Sequence, residues 1–107
     1  MDENRVQITV KEPKFKRGVL LATPAALSAL ERNGSEGFEY INRHLSGDWG
    51  DVCREDRAAN DEALQTGARL LSAYKLADGT RIWLITDATV DEHGTRPSTT
   101  LLLPSDY

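Results

Sequence analysis

The order of apolar and polar residues predicts an α+β domain that begins with strands. The stretch VQITV, residues 6–10, alternates apolar and polar side chains, which is the pattern of a half-buried strand. The stretch GVLLA, residues 18–22, is a short apolar run and predicts a second strand. We interpret residues 1–17 as an N-terminal extension or an edge strand of one domain spanning residues 1–107.

A first helix is predicted immediately after the second strand. Thr23 suits the N-cap because its hydroxyl can accept a hydrogen bond from a free backbone N–H, and Pro24 suits the first helical position. Asn33 and Gly34 supply the stop. The predicted buried face consists of Ala26, Leu27 and Leu30.

Two further helices are predicted by the same logic. The second is expected to have Ser35 as its N-cap and to end at Gly47. The third is expected over residues 54–66, with Gly67 as the stop and Asp51 as a candidate N-cap. The predicted buried residues are Phe38, Ile41 and Leu45 in the second helix, and Ala59, Ala63 and Leu64 in the third.

The C-terminal third of the chain predicts three strands. RLLSAYKLADGTRIWLIT contains two strand-like runs around Asp78 and Gly79, a pair that tolerates the positive φ angles of a type I′ hairpin turn. STTLLLP predicts a last strand, closed by Pro104. The fold class is therefore α+β: two or three short helices packed on an antiparallel sheet with a C-terminal three-stranded meander.

Composition predicts a cytoplasmic protein. A single cysteine, Cys53, cannot form an internal disulfide, which fits a reducing compartment. The first residues contain no apolar run typical of a secretory signal, and no run approaches the ~20 apolar residues that span a bilayer.

Acidic residues are concentrated in DWGDVCREDRAANDE, residues 48–62, which we call the acidic segment. It holds six acidic and two basic residues, so its net charge of −4 equals that of the whole chain. This distribution argues against a general nucleic-acid binder, which would present a basic face. The residues available for such a face are Lys11, Lys14, Lys16 and Arg17, together with bases near the hairpin.

Three interpretations of the acidic segment remain open. Carboxylates in a first helical turn stabilise the positive end of the helix dipole. They could also form a docking surface, or supply oxygen ligands for a divalent cation through Asp48, Asp51 and Asp56. Trp49 either plugs the gap between the second and third helices or stands exposed as an anchor.

The remaining reactive side chains favour structural roles. We expect His44 and His93 to be surface or helix-end histidines, Cys53 to be buried or half-buried, and Trp83 to lie in the core. CxxC, P-loop, GxGxxG, GxSxG and HExxH motifs do not occur in the sequence.

Four stretches together resemble a family of small proteins found on plasmids and other mobile elements of bacteria: VLLATPAALSAL, GDWGDVCREDRAANDEAL, GARLLSAYKLADGTRIWLIT and TTLLLPSDY. The resemblance covers residues 18–107, although residues 90–97 form a longer turn than the family typically has. Its members are usually described as plasmid-related proteins. The resemblance implies a setting more than a mechanism, because small accessory proteins of mobile elements often bind host machinery, including CRISPR and restriction systems.

The sequence therefore predicts a non-enzymatic accessory protein of a mobile genetic element. We expect it to inhibit or modulate a host protein complex, such as a nucleic-acid-handling defence complex, as an anti-CRISPR or anti-restriction inhibitor would. No cofactor, metal, direct nucleic-acid contact or membrane contact is expected. An acidic surface would steer association with a basic partner. The predicted partner-binding residues are Asp48, Trp49, Asp51, Glu55, Asp56, Asp61 and Glu62.

Two other hypotheses are retained. One is a small metal-dependent hydrolase that uses the carboxylates of Asp48, Asp51 and Asp56. The other is a nucleic-acid-binding module that uses the basic residues near the N-terminus, Lys11, Lys14, Lys16 and Arg17.

Overall fold

The structure, a computed structural model, describes residues 12–107. The strand predicted over residues 6–10 lies outside the described residues, as does Lys11. None of the described helices is long and apolar enough to cross a membrane. The elements, in chain order, are β1 (Val19–Ala22), α1 (Pro24–Arg32), α2 (Gly37–Leu45), α3 (Arg54–Thr66), β2 (Leu70–Lys75), β3 (Arg81–Thr86), β4 (Ser98–Leu102) and a 3₁₀ turn (Pro104–Asp106).

The strands form one sheet in the order β1-β4-β3-β2. The predicted α+β class and the meander are confirmed, since β2, β3 and β4 pair antiparallel in succession. The sheet is mixed rather than wholly antiparallel, because β1 pairs with β4 in parallel. The helices occupy the crossover between β1 and the meander, which allows β1 to enter the sheet in the same direction as β4.

The hairpin between β2 and β3 differs from the predicted turn. Gly79 has φ of 89°, and no non-glycine residue among those described has a positive φ, so Asp78 does not adopt the type I′ geometry. Gly79 N–H donates to the carbonyl of Leu76 at 2.9 Å, and Leu76 N–H donates to Thr80 at 2.8 Å. These bonds describe a four-residue turn over residues 76–79 whose last residue is a left-handed glycine, a common longer hairpin connection.

The main core lies between the helices and one face of the sheet. It contains side chains from α1, α2 and three strands. Leu27 was predicted to be buried but is exposed, because the buried stripe of α1 runs through Ala26, Ala29 and Leu30. Phe38 was also predicted to be buried but is 62 % exposed. It lies on the same side of α2 as Ile41 and Leu45 but in the first turn, where it lines an open groove with them.

Helix ends follow the predictions in part. Thr23 caps α1 as predicted, with its hydroxyl accepting from Ala26 N–H at 3.1 Å, and Gly67 ends α3 with φ of 84°. Ser35 was wrong as the α2 cap, because Glu36 holds that position. Asp51 was wrong as the α3 cap, because Cys53 holds it, and Cys53 is exposed rather than buried.

The opposite face of the sheet is only partly covered. Trp83 was predicted to lie in the core but is half-buried on this face, where its ring meets Tyr107 edge-on with centroids 5.8 Å apart. Its register partners, Ala73 and Leu102, are buried beside it. Towards β1 the face opens to solvent.

The cap of α1 provides a test of the fold at one residue. Thr23→Ala removes the oxygen that accepts from Ala26 N–H and donates to Asp106 at 2.7 Å. We expect it to lower the free energy of unfolding by about 1 kcal/mol. Thr23→Ser keeps the hydroxyl and should recover most of that loss. Urea unfolding followed by circular dichroism measures both, and an unchanged midpoint for Thr23→Ala would contradict the assignment.

Candidate functional site

The acidic segment closes the outer edge of β2. Ala73 N–H donates to the carbonyl of Trp49 at 3.1 Å, and Asp51 N–H donates to the carbonyl of Ala73 at 2.6 Å. Two residues away along the strand, Leu71 N–H donates to Oδ1 of Asn60 at 3.0 Å, and Asn60 Nδ2 donates to the carbonyl of Leu71 at 2.7 Å. The backbone groups that Leu71 and Ala73 direct away from β3 are therefore satisfied by the chain itself.

A glycine makes this contact possible. Gly50 forms a parallel bridge with Ala73 and has φ of 75°. A Cβ at this position would overlap the carbonyl oxygen of Ala73 and the ring of Tyr74. Tyr74 in turn donates its hydroxyl to the carbonyl of Asp48 at 2.6 Å, which fixes the start of the segment. Gly47 thus ends a helix, and Gly50 allows the backbone to approach β2 closely.

Trp49 is buried, so of its two interpretations the structure supports the plug. Its side chain is 3 % exposed and packs with Ala63 and Leu70 in a second small core cluster. The indole N–H donates to Oδ1 of Asp61 at 2.9 Å. The Asp61 carboxylate therefore accepts a hydrogen bond from the buried tryptophan. Trp49 itself offers no side-chain surface to a partner.

The other carboxylates of the acidic segment lie on the surface. Asp48 pairs with Arg43 at 2.7 Å and Asp51 pairs with Arg81 at 3.3 Å. The hydrogen bond from Arg43 holds the pKa of Asp48 below its usual range. Both pairs are exposed to solvent, where such pairs stabilise a fold little. The remaining acidic residues, Glu55, Asp56 and Glu62, are exposed on α3.

The three carboxylates of the metal hypothesis are not gathered into one site. Asp48 and Asp51 each face an arginine, and Asp56 lies on the first turn of α3. Within residues 12–107, no group of three or more His, Cys, Asp or Glu side chains is arranged to hold a metal ion.

His44 lies in the last turn of α2, but it is fully buried rather than on the surface. Its Nδ1 lies 2.5 Å from the hydroxyl of Ser72 and its Nε2 lies 2.8 Å from the hydroxyl of Thr86. Thr86 contacts the Thr99 hydroxyl at 2.7 Å. Phe15 and Trp49 flank the imidazole edge-on, with centroids 5.1 and 5.7 Å away. The histidine thus joins α2 to two strands across the core.

The last hydrogen bond of this chain sets the direction of the others. Thr99 donates its hydroxyl to the carbonyl of Arg17 at 2.8 Å. Because a carbonyl can only accept, Thr99 must accept from Thr86, and Thr86 must accept from Nε2–H of His44. Nδ1 then accepts from Ser72, so both nitrogens of the neutral ring are used. Burial, with a smaller contribution from the charge of Arg96, lowers the pKa of His44 to about 3.

A serine hydroxyl bonded to an imidazole is also the arrangement of a nucleophile and its base. Here Ser72, His44 and Thr86 are all inaccessible to solvent. A solute cannot reach the hydroxyl in this structure, so what these groups do is position α2 on the sheet.

The turn over residues 90–97 contributes a buried arginine. Arg96 donates from Nη1 to the carbonyls of Ala68 at 2.7 Å and Asp87 at 3.0 Å, and from Nη2 to Ala63 at 3.2 Å. Burial lowers its pKa. Its charge lies at the C-terminal end of α3, where a cation is favoured by the helix dipole. His93 in the same turn is exposed, as predicted. Of the residues in the basic-face hypothesis, Lys14, Lys16 and Arg17 are exposed.

The outer edge of β1, in contrast to that of β2, has no backbone partner among the residues that the structure describes. Val19 N–H and Thr23 N–H donate to the carbonyls of Pro97 and Leu101, so the odd-numbered residues of β1 face β4. The intervening residues, Leu20 and Ala22, direct their N–H and C=O groups outward. Within residues 12–107, no partner bonds to these outward groups.

Exposed apolar side chains lie on β1 and in a groove next to the residues that lead into it. On the uncovered face of the sheet, Val19 is 62 % and Leu21 is 49 % exposed. Leu21 ends a row that crosses the whole sheet through Thr100, Ile85 and Leu71. On the helix side, Phe38 lines the groove that runs between α2 and Arg17, the second residue before β1. We call the outward backbone of Leu20 and Ala22, with Val19, Leu21 and Phe38, the β1 surface.

Comparison of the chain with protein-family models, with curated proteins and with solved structures found no match. The likeness to plasmid-related proteins remains a prediction.

Asn60 is the residue whose role is easiest to test. Asn60→Ala leaves both backbone groups of Leu71 without their partner, so we expect the free energy of unfolding to fall by about 2 kcal/mol. Gln65→Ala, an exposed change on the same helix, should stay within about 0.5 kcal/mol of the wild type. Chemical denaturation of the two variants gives the comparison, and equal stability would refute the role of Asn60 as an edge cap.

The buried His44 predicts a pH dependence of stability. Its folded pKa lies below the unfolded value, so as pH falls from about 6.5 towards 3 the unfolded chain binds a proton that the folded protein excludes. The contribution of His44 to the free energy of unfolding is fully present above pH 6.5. It falls by about 1.4 kcal/mol for each pH unit as the pH is lowered within that window. His44→Gln should show a shallower loss between pH 6.5 and 4 in urea titrations. His93→Gln is the surface control, and a His44→Gln slope equal to that of the wild type would contradict the burial.

Proposed function

We propose that this protein is a non-enzymatic interaction module that binds another polypeptide by strand addition at the β1 surface. The observation that supports the proposal is the difference between the two edges of the sheet. The chain closes the β2 edge with a backbone bridge and a buried asparagine, whereas none of residues 12–107 bonds to the outward N–H and C=O groups of β1.

Sheet edges are ordinarily protected because an open edge templates pairing with other chains. Common protections are charged side chains, proline or bulges on the edge strand. β1 reads Val-Leu-Leu-Ala and has none of these within its four residues. An apolar edge that residues 12–107 leave unpaired, opposite an edge that the chain closes, is therefore best explained as a binding edge.

The surroundings of β1 fit an extended peptide. A strand added at this edge would lie ~4.8 Å from β1, with its backbone bonded to Leu20 and Ala22. Alternate side chains of that strand would point to the two sides of the sheet. On one side they would meet Val19 and Leu21, and on the other the groove beside Phe38. Main-chain bonds would supply affinity, and these contacts would supply selectivity.

A more specific form of this proposal retains the mobile-element context that the sequence resemblance implies. In it, the bound polypeptide belongs to a host protein complex, and binding inhibits or modulates that complex, as an anti-CRISPR or anti-restriction inhibitor would. The exposed carboxylates Glu55, Asp56 and Glu62 support an auxiliary role in steering, since they lie on α3 beside the β2 edge, away from β1.

Ala22→Pro tests the proposal with little disturbance of the fold. Proline removes the outward N–H and places its ring on the free edge, and Ala22 N–H makes no bond within the sheet. Proteins captured from a lysate of the native host by the immobilised wild type are identified, and each is then expressed and titrated against the variants. We expect Ala22→Pro to weaken a true strand partner about tenfold or more, with thermal stability retained.

Two controls make this experiment decisive. Ala22→Ser keeps the N–H and should bind like the wild type. Charge reversal of Glu55 and Asp56 should slow association without abolishing binding if these groups only steer. A partner whose affinity is the same for Ala22→Pro and the wild type, but is lost on charge reversal, would move the binding site to α3 and overturn the β1 proposal.

A further inference from the structure

We propose that Asn33 is a site of spontaneous deamidation, and that a contact between α1 and the β2–β3 hairpin holds the reaction back while the protein is folded. The contact joins the two Asx-Gly pairs of the described chain, Asn33-Gly34 at the end of α1 and Asp78-Gly79 in the hairpin turn. This site is separate from the β1 surface and concerns the lifetime of the folded chain.

An asparagine that precedes a glycine deamidates readily, because glycine has no Cβ to hinder the approach of its backbone nitrogen. The nitrogen of Gly34 attacks Cγ of Asn33, so that an N–Cγ bond forms and the Cγ–Nδ2 bond breaks. Ammonia leaves, carrying the proton that the Gly34 nitrogen gives up. Water then opens the five-membered succinimide at one of its two carbonyl carbons. The product is aspartate or isoaspartate, and water is the only reactant consumed.

The surroundings of Asn33 single it out among the asparagines. Gly34 is exposed and Asn33 is half-buried, so water reaches the reacting groups. The other asparagines, Asn4, Asn42 and Asn60, precede an arginine or an aspartate, whose side chains hinder closure of the ring. Deamidation is therefore expected first at Asn33.

In the folded protein both reacting groups are held in hydrogen bonds. Nδ2 of Asn33 donates to the carbonyl of Ala29 at 2.8 Å, and Oδ1 accepts from Asp78 N–H at 2.9 Å. Gly34 N–H donates to the carbonyl of Glu31 at 3.0 Å. The ring can close only when the amide turns towards Gly34 and leaves Ala29 and Asp78. The contact with the hairpin must therefore open before the reaction can begin.

The product weakens the contact that delayed it. A carboxylate at this position cannot donate to the carbonyl of Ala29, and its charge lies at the C-terminal end of α1, where the helix dipole disfavours an anion. Isoaspartate also lengthens the backbone by one methylene where the chain turns out of α1 at Gly34, which has φ of 60°. A molecule that has reacted opens more readily, so the first opening of the hairpin starts an irreversible loss of stability.

Peptide mapping by mass spectrometry measures the reaction on the full chain. The wild type is incubated at neutral pH in native buffer and in urea, in water enriched in heavy oxygen that labels the product. We expect Asn33 to react at least about tenfold more slowly in native buffer, because only the open fraction reacts. Asn42 and Asn60 in the same digests are internal controls and should stay unmodified. No product at Asn33 in urea, or equal rates in the two buffers, would overturn the proposal.

Two glycine variants distinguish opening of the hairpin from unfolding of the whole chain. Gly79 and Gly94 have φ of 89° and 77°, and a Cβ at either would meet no other described residue within 4 Å, so alanine strains both backbones alike. Gly79→Ala loosens the turn next to Asp78 and should speed deamidation of Asn33 in native buffer about fivefold. Gly94→Ala should leave that rate unchanged. Equal acceleration by both variants, or none by Gly79→Ala, would refute the hairpin contact as the controlling step.

Asn33→Asp makes one of the two products directly and tests its effect on the fold. We expect its unfolding midpoint in urea to lie below that of the wild type, because the bond to the carbonyl of Ala29 is lost. Asn42→Asp is the matched control, since it adds the same charge near the C-terminal end of α2 without touching the hairpin contact. A midpoint of Asn33→Asp equal to that of the wild type or of Asn42→Asp would contradict the proposed weakening.

Discussion

The pairing of the Trp49–Asp51 backbone with Ala73 is the contact on which the rest of the structure depends. It satisfies a strand edge that would otherwise face solvent, and it does so only because Gly50 allows the two backbones to approach closely. The same contact directs Trp49 into the core and turns its neighbouring carboxylates outward. It also fixes the start of α3, from which Asn60 reaches the next free pair of groups on β2. The acidity of this segment is thus the solvent-facing side of a structural cap.

Phe15 and His44 join this capped edge to the main core. Phe15 packs against both core clusters, and His44 connects α2 to β2 and β3 through Ser72 and Thr86. Because Thr99 ends this chain of hydrogen bonds at the carbonyl of Arg17, the residues that lead into β1 are held in place by the interior. β1 is consequently held in a fixed position, which would lower the entropy cost of adding a strand to it.

Local signals in the sequence were sufficient to predict the helices and strands. They were insufficient to predict which of these elements, and which side chains, contact one another. The bounds of α3, the cap at Thr23 and the meander were predictable because glycine stops, hydroxyl caps and strand periodicity are local properties. The parallel pairing of β1 with β4 was not, since it depends on where three helices return the chain. Asn60 and His44 were missed because an amide or an imidazole gains its role only from groups far along the chain, such as Leu71 and Thr86. Phe38 had the right period but lies beyond the end of the core, and Trp49 remained ambiguous until its neighbours were known.

The position of β4 in the sheet carries a consequence for how the protein folds. β4 lies between β1 and β3, although it follows both in sequence, and Val19 pairs with Ser98, 79 positions further along the chain. The hairpin of β2 and β3 can form early from neighbouring residues, whereas the strand that β1 joins among residues 12–107 is β4, the last to be made. Loops of this length close slowly. During synthesis the apolar β1 therefore lacks β4 while the helices and the hairpin emerge, and the side of β1 that β4 later covers is exposed to misassociation in that interval.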